Sequence, residues 1–385
     1  MTCPHCGESA KFQGYRPKSV TGILGDMSVE RGYYHCAHCH QGHFPWDEQL
    51  RLSAQRLTPA AQELTALAGS VDSFGEAALR TLVQMSGIRL SESTVQRTTE
   101  AAGQDLGERL ERGTVLGPRK QWKWHKDAQG RTCGYVSIDG TGIAMQGEQA
   151  GSKADSRMAS IGMIYNPLPR DANNRDTVAM PCDNVRYLAG LYQLEELGPL
   201  LRRQGAQVGM DAVEQWLALI DGGSGLENFI QVNFPRAKII LDFRHATEHL
   251  EDFVDKYRPG KGGVKLLEAW CHTLKVAGGR RVLQRVARLR RKEMTKEAAE
   301  EHRKLLTFLG NHLHKMDYPE YLRRGWQIGT GAVESACKNV INRRMCMGGM
   351  RWHEDGGDGV AHLRALYRSD PEQWDAYWAV ANMPA

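Results

Sequence analysis

The sequence predicts an α/β protein whose core is interrupted by an all-helical insertion and preceded by a small metal-stapled module and a helical segment. Three observations lead there. Residues 131–245 read as strand, strand, strand, helix, strand, helix, strand. Residues 246–325 lose the strand pattern and become helical and basic. The first 46 residues hold two Cys-x-x-Cys pairs in a span with little core of its own.

At roughly 150 residues per domain, the 385 residues suggest two to three domains. Hydrophobic residues make up 41% and charged residues 25%, near the globular average, and no stretch approaches the ~18 apolar residues of a membrane span. The N-terminus has no basic stretch followed by an apolar one, so a cytoplasmic protein with no membrane partner is expected. Nine cysteines in such a chain favour metal binding over disulfides. The net charge of +5 permits a polyanionic partner without requiring one.

Each element has its own signal. In the module at 1–46, Cys3, Cys6, Cys36 and Cys39 flank a stretch with Tyr15, Tyr33 and Tyr34 and turn-forming residues, which reads as a zinc-ribbon-like β unit. The helical segment at 59–112 carries Phe74, Ala78, Leu82 and Met85 at helical spacing. Gly87 then marks a tight turn, and Ser91 opens a second helix, as in a helix-turn-helix. Strands are predicted at Gly134–Asp139, Met158–Tyr165 and Thr177–Met180, followed by a helix at about 187–205 that uses Leu188, Leu191, Leu194, Leu197, Leu200 and Leu201. A strand at Trp216–Asp221, a helix at about 225–232 and a strand at Ala237–Asp242 complete the first part of the core, 131–245. The insertion at 246–325 is broken by a loop at Pro259–Gly263. In the final part of the core, 326–385, Gly329-Thr330-Gly331-Ala332 opens a helix carrying Glu334.

Asp139 and Asp221 each end a hydrophobic strand and run straight into glycine, while Glu334 sits one turn into its helix. Ligands of open α/β sheets bind at strand ends. Three convergent carboxylates suit two Mg²⁺ or Mn²⁺ ions, which can activate an oxygen nucleophile and stabilise a leaving oxygen in phosphoryl transfer. A single Asp-Gly after a strand is more often an ordinary turn. The element order raises its significance, because that order is the ribonuclease H topology.

These residues carry a family resemblance. Val136-Ser137-Ile138-Asp139-Gly140, Leu219-Ile220-Asp221-Gly222-Gly223, Leu241-Asp242-Phe243-Arg244-His245, the Gly329–Lys338 block, Arg343-Arg344 and Gly349-Met350-Arg351-Trp352 together resemble bacterial insertion-sequence transposases of the ISKra type, within the Mutator-like DDE group. The resemblance spans about 130–380 and extends more weakly to the Cys-x-x-Cys segment. It implies a ribonuclease H-like core with a catalytic triad of Asp139, Asp221 and Glu334 that hydrolyses DNA at transposon ends and joins the freed 3′-hydroxyl to target DNA. The triad spacings are 82 and 113 residues, the second lengthened by the helical block. Asp242-x-x-His245 resembles the group's Asp/His pair, which implies that His245 touches the scissile region or orients a carboxylate. The implied partners are double-stranded DNA at the ends and target and further copies of the chain, in a homodimer or larger assembly, with a nucleoid-associated location in a bacterial cytoplasm.

Rival readings fit less well. His245 and His249 stand four apart, but the zinc-protease Glu does not directly follow the first. Gly222-Gly223-Ser224-Gly225 lacks a following Gly-Lys-Ser/Thr and matches neither nucleotide fingerprint. The remaining cysteines, Cys133, Cys182, Cys271, Cys337 and Cys346, read as free thiols without a role.

Several basic residues are candidates for DNA contact. On the second helix of the 59–112 segment, Gln96 and Arg97 could read base edges, with Ser91, Ser93 and Thr98 beside them; a helical hairpin that only packs is the competing reading. Residues 256–304 hold 15 Lys+Arg against 5 Asp+Glu, and Arg281, Arg285 and Arg288 recur on one side of a helix whose Val282, Val286 and Leu289 face inward. Lys338, Arg343, Arg344, Arg351 and Trp352 add basic and aromatic character past the Glu334 helix, with Trp352 either stacking on an unpaired base or sitting in the core. The function expected is a DNA transposase. A metal-dependent nuclease or resolvase of the same fold and a non-catalytic DNA-binding regulator are the alternatives.

Overall fold

The computed structural model describes residues 1–50, 52, 56–147, 156–168 and 182–381. The chain forms two units, one built from Met1–Gly117, Ala144–Asp155 and Arg344–Ala385 and the other from Pro118–Ile143 and Ser156–Arg343. The expected final core segment, 326–385, is therefore divided at Arg343.

In the first unit, β1 (Ala10–Gly22) and β2 (Gly25–Cys36) form an antiparallel ribbon whose register runs from Ala10↔Cys36 to Gly22↔Gly25, with β3 (Gly42–His43) added beside β2. The buried residues at its base are Cys3, Ala10 and Cys36. So small an apolar cluster leaves the ribbon dependent on the sulfurs. α1 (Pro45–Gln49) follows, and its Asp47 pairs with Lys18 at 3.1 Å and with Arg31.

Thr58 opens α2 (Pro59–Val71) by accepting the Ala61 N–H, with Pro59 in the first turn where a missing donor costs nothing. α3 (Phe74–Glu76) continues through a π-helical turn, Ala77–Thr81, into α4 (Leu82–Ser86), which ends on Gly87 at φ +72°. Ser91 then caps α5 (Glu92–Glu111) by accepting the Thr94 N–H at 3.2 Å. Leu57, Ala61, Ala68, Ala77, Ala78, Leu82, Ile88 and Val95 form one buried cluster.

The second unit is built on β4 (Cys133–Ala144), β5 (Ser156–Pro167), β6 (Cys182–Gly190), α6 (Leu194–Gln207), β7 (Gln215–Ile220), α7 (Leu226–Asn233) and β8 (Ala237–Leu241). The five strands form one mixed sheet in the order β6-β5-β4-β7-β8, with β4, β7 and β8 parallel and β5 antiparallel to β6. Val136, Leu217, Ala218, Leu219 and Ile240 are fully buried, the near-continuous apolar pattern of strands covered on both faces. The strand expected at 177–180 lies outside the described residues. The helix expected from 187 starts seven residues late, because Leu188 and Ala189 pair with Gly162 and Ile161 of β5. Leucine spacing alone cannot see that pairing.

After the sheet come α8 (Phe243–Tyr257), α9 (Lys261–Ala287), α10 (Lys296–His312) and α11 (Tyr318–Arg323). Their core gathers on Phe253, which stacks on Trp270 at 6.0 Å and meets His302 at 5.5 Å. The expected loop at 259–263 shrinks to Arg258–Gly260, with Gly262 and Gly263 already helical. Instead α9 breaks at Gly278, at φ +75°, where the N–H of Gly279 donates to the Met316 carbonyl. Arg280, Arg281, Arg288, Arg290, Arg291 and Lys292 are exposed, Val282 and Val286 are buried, and Arg285 donates to Thr273 Oγ1.

α12 (Gly331–Ala336) runs through a second π-helical turn, Cys337–Asn342, into α13 (Arg343–Met345). α14 (Glu354–Arg368) and α15 (Pro371–Ala381) belong to the first unit, where α14 crosses α5 so closely that a Cβ on Gly103 would overlap the Gly359 carbonyl. Two expected DNA contacts are corrected here. The Arg344 guanidinium is fully buried, 4.6 Å from the Phe74 ring centroid and 5.0 Å from that of Trp352, and donates to the Gly69 carbonyl. Trp352 is buried too and donates its indole N–H to the Met345 carbonyl. Both are interior packing residues. Of the helix-turn-helix candidates, Thr98 is buried and Gln96 is half-buried and donates to Glu100, while Arg97 is exposed. α5 buries Val95, Thr98, Thr99, Gly103, Leu106 and Leu110 against neighbouring helices, so most of its face is committed to packing.

Among the described residues no helix is long and apolar enough to cross a membrane.

Candidate active site and metal centre

Strands β4, β7 and β8 run parallel; an acidic residue follows β7 and β8 directly, while in β4 the strand expected to end at Asp139 continues through it to Ala144, and Asp139 marks only where its pairing with β7 stops. Asp139 lies two residues beyond Ser137, the last β4 residue paired with β7. Asp221 follows Ile220 and Asp242 follows Leu241, directly after β7 and β8. After β7 and β8 the apolar run stops and a charged residue is tolerated, whereas β4 goes on to the buried Ile143.

Asp139, Asp221, Asp242, His245, Glu248 and Glu334 line one cavity of about 230 Å³ with Arg244 among them. Each carboxylate is held by short local bonds. Asp139 Oδ1 accepts the Gly140 N–H at 2.7 Å, and its Oδ2 accepts the Cys337 thiol at 3.4 Å. Asp221 Oδ1 accepts the Gly223 N–H at 2.8 Å, and Glu334 Oε1 accepts the Thr330 hydroxyl at 3.1 Å. Burial raises the Asp139 pKa above the ordinary carboxylate range, and the negative charges of Asp221 and Glu334 push the same way against the pull of Gly140 and Cys337.

Asp242 is a brace. It is 3% exposed, caps α8 by accepting the His245 N–H at 2.8 Å, and accepts the Thr330 N–H, also at 2.8 Å, just before α12. One carboxylate thus fixes the start of the helix carrying His245 and the approach to the helix carrying Glu334. Burial raises its pKa as well, opposed by those two amides and assisted by Glu334. The Glu334 helix is pinned to β4 twice more, by Cys337 on Asp139 and by Thr141 Oγ1 donating to Asn342 Oδ1 at 3.0 Å. Asn342 reaches that position across the π-helical turn, a distortion common at functional sites.

His245 lies on the cavity wall, and its ion-pair partner is Glu248 at 3.5 Å rather than a member of the Asp139–Asp221–Glu334 set. Its ring meets His249 edge-on at 4.9 Å, and His249 packs on Phe308 at 3.8 Å. Burial, reinforced by His245, lowers the His249 pKa, and burial with Lys315 holds His312 at about 4, so both are neutral at pH 7. Sequence reasoning assigned no role to Cys337 or Thr330. The available signal for Cys337 was its position three residues after Glu334, which puts it on the same helical face.

The carboxylates do not form a tight cage, since among the described residues the only group of three or more His, Cys, Asp or Glu with ligand atoms within 4.8 Å is Cys3, Cys6, Cys36 and Cys39. Unpaired negative charge packed around Asp139 is what a divalent cation would relieve.

The cysteine cluster is of the opposite kind. Cys3 and Cys39 sulfurs are 3.6 Å apart, as are those of Cys6 and Cys36. Zinc with four thiolates at ~2.3 Å requires sulfurs about 3.8 Å apart, so these four can hold one structural zinc ion with no histidine needed. Backbone N–H groups of Cys39 and His38 bring the Cys36 thiol down to about 7, although burial opposes them.

Lys338, Arg343 and Arg351 are exposed, as are Arg97, Arg281 and Arg288. No family model matches the chain, and no curated protein matches it. Among solved structures, the Drosophila P element transposase strand transfer complex aligns with 85% of this chain and 97% of its own, at 10% identity and a TM-score of 0.38. So distant a likeness assigns no function.

Proposed function

We propose that this protein is the DNA transposase of an insertion sequence, of the ISKra type in the Mutator-like group, cutting transposon ends and transferring the 3′-hydroxyl strand into target DNA. The observation that carries this reading is the meeting of Asp139, Asp221 and Glu334 around one cavity at the ends of parallel strands. The sheet order β6-β5-β4-β7-β8 supports a ribonuclease H-like core, and the motifs around the three acids support the family.

In this reading Asp139, Asp221 and Glu334 hold two Mg²⁺ or Mn²⁺ ions. When bound, they would supply Lewis-acid activation of the attacking oxygen and charge neutralisation at the leaving oxygen. The protein's own contribution is positional. Gly140 and Cys337 fix the two oxygens of Asp139, Gly223 fixes Asp221, and Thr330 fixes Glu334. Asp242 keeps the helices of His245 and Glu334 in register with the strand ends. His245 lines the same wall, which supports its assignment to the DNA next to the scissile phosphate in this reading. Exposed Arg281 and Arg288, with Lys338, Arg343 and Arg351, supply sequence-independent attraction to double-stranded DNA. Synapsis of two ends would be the work of a homodimer or larger assembly.

The test is incubation of the purified protein with a plasmid carrying the DNA that flanks its own gene, in Mg²⁺ or Mn²⁺, beside Asp221→Asn. Discrete nicks followed by joined products, from the wild type alone, are expected. DNA bound but left intact in every metal rejects the transposase reading. A variant that cuts equally well removes Asp221 from the site.

A further inference from the structure

A second, larger cavity of about 810 Å³ shares Ile138, Asp139 and Asp221 with the acidic one. Its other walls come from the start of β5, the segment before α6 and the segment before α7. The two differ in chemistry. The acidic cavity presents five carboxyl groups, Asp139, Asp221, Asp242, Glu248 and Glu334, against Arg244 and His245. A phosphodiester strand entering there meets mostly like charge. In the larger cavity the two shared carboxylates are the only acids, joined by Arg157, Gln193 and Ser224 and by the apolar Met158, Leu191 and Leu194.

This lining matches a nucleotide strand, with one cation and hydrogen-bonding groups for phosphate and sugar and apolar side chains for base faces. Met158 is 62% exposed although it borders Asp139 through Gly140, where an added Cβ would crowd the Met158 sulfur. Gly225, at φ +84°, brings the start of α7 against Leu194 at the start of α6. The N-terminal ends of both helices therefore flank the cavity and add a positive backbone field.

Resting on the proposed function, we propose that this cavity is the channel for unpaired DNA on one side of the scissile phosphate. A short run of single-stranded nucleotides packs its bases on Met158, Leu191 and Leu194 with Arg157 on the backbone, and the adjoining phosphodiester lies over Asp139 and Asp221.

The probe is a single-stranded oligonucleotide from the DNA flanking the gene, with 5-iodouridine placed in turn on each side of the expected cut. It is bound to the full-length protein in Ca²⁺ and photocrosslinked, and cleavage of a plasmid carrying the same flanking DNA is followed in Mg²⁺. Crosslinks from one side only to the peptides holding Met158 or Leu191–Leu194 are expected. Leu194→Trp, which fills the channel, should remove them and raise the KM for cleavage about tenfold with kcat little changed. Arg157→Ala, a second variant that leaves the apolar walls intact, should weaken binding severalfold and make its salt dependence shallower. Crosslinks that map elsewhere while the DNA is cut overturn the channel and leave the transposase reading standing. Crosslinks at the expected peptides with no cutting in any metal keep the strand channel and remove the transposase reading. An oligonucleotide that does not bind at all overturns the channel, and the transposase reading is then decided by the plasmid cleavage alone.

Discussion

Two clusters of ligand-type side chains in the protein, the cysteines and the sheet-edge carboxylates, are opposites. At the N-terminus four sulfurs already stand within 4.8 Å of one another, around a buried cluster of only a few residues. At the sheet edge the carboxylates surround a cavity of about 230 Å³ without closing on a point. The first is a closed, soft-donor site in which the ion replaces a core. The second is an open set of hard donors that, in the proposed function, would leave coordination positions to water and substrate. What separates them is where rigidity comes from: the metal at the cysteines, the hydrogen-bonded protein at the carboxylates.

The largest effect that would sharpen this contrast is loss of zinc. Chelation, or Cys36→Ser, should unfold the β1–β2 ribbon, on a scale of about 10 kcal/mol of apparent metal-binding free energy. The expected readouts are one zinc per chain by metal analysis and collapse of ribbon amide signals in NMR, with the β4–β8 core unaffected. A ribbon that keeps its dispersion without metal would make the cluster dispensable.

Next comes Asp221→Asn, expected to lower cleavage by roughly 10³-fold, the scale of several kcal/mol of transition-state charge stabilisation, while leaving the melting temperature within a few degrees. Equal loss of stability would mean that the carboxylate is structural. Asp242→Asn should behave differently. An amide accepts through one oxygen, so one of the two helix-start N–H groups loses its charged acceptor, at a cost of about 1.5–3 kcal/mol in stability with reduced activity besides, measured by denaturant titration and cleavage assays.

The pH dependence follows from Asp139. Its folded pKa is raised by burial and by neighbouring negative charge, so folding favours the protonated form. Metal-free stability should therefore fall as pH rises from the unfolded carboxylate range, ~3.9, through the raised folded value. Mg²⁺ should recover that loss, and its stabilising effect should fade as pH is lowered through the same window. A thermal melt series with and without Mg²⁺ checks this, with Asp139→Asn expected to flatten it. The smallest effect is at Cys337: Cys337→Ala should weaken apparent Mg²⁺ affinity severalfold by freeing Asp139 Oδ2, at about 1 kcal/mol, and Cys337→Ser, which keeps a donor, should restore it.

Asp221 was legible in the sequence because the hydrophobic run that stops at Asp-Gly there does end its strand; at Asp139 the same signal misplaced the boundary, since β4 continues to Ala144. The helix-turn-helix outline was equally legible from Gly87 and Ser91, whose conformations are local. Long-range partners were not. Leu188 joined a strand because β5 lay beside it, and Arg344 and Trp352 turned inward to meet Phe74 and Gly69, some 275 residues away in the chain. The Asp242 brace was also hidden, since its two amides lie three and 88 residues on.

That brace has a consequence for how the chain can change over generations. The helical block leaves the core at Phe243 and returns at Ile328, and the N–H of Phe243 donates to the Ile328 carbonyl at 2.8 Å. With Asp242 clasping Thr330 beside it, the block hangs from a closed doorway, both jambs nailed to the same carboxylate. Helices inside it are free to lengthen, shorten or be exchanged for another cassette without moving Glu334, so the block can diversify while the carboxylate cavity is inherited unchanged.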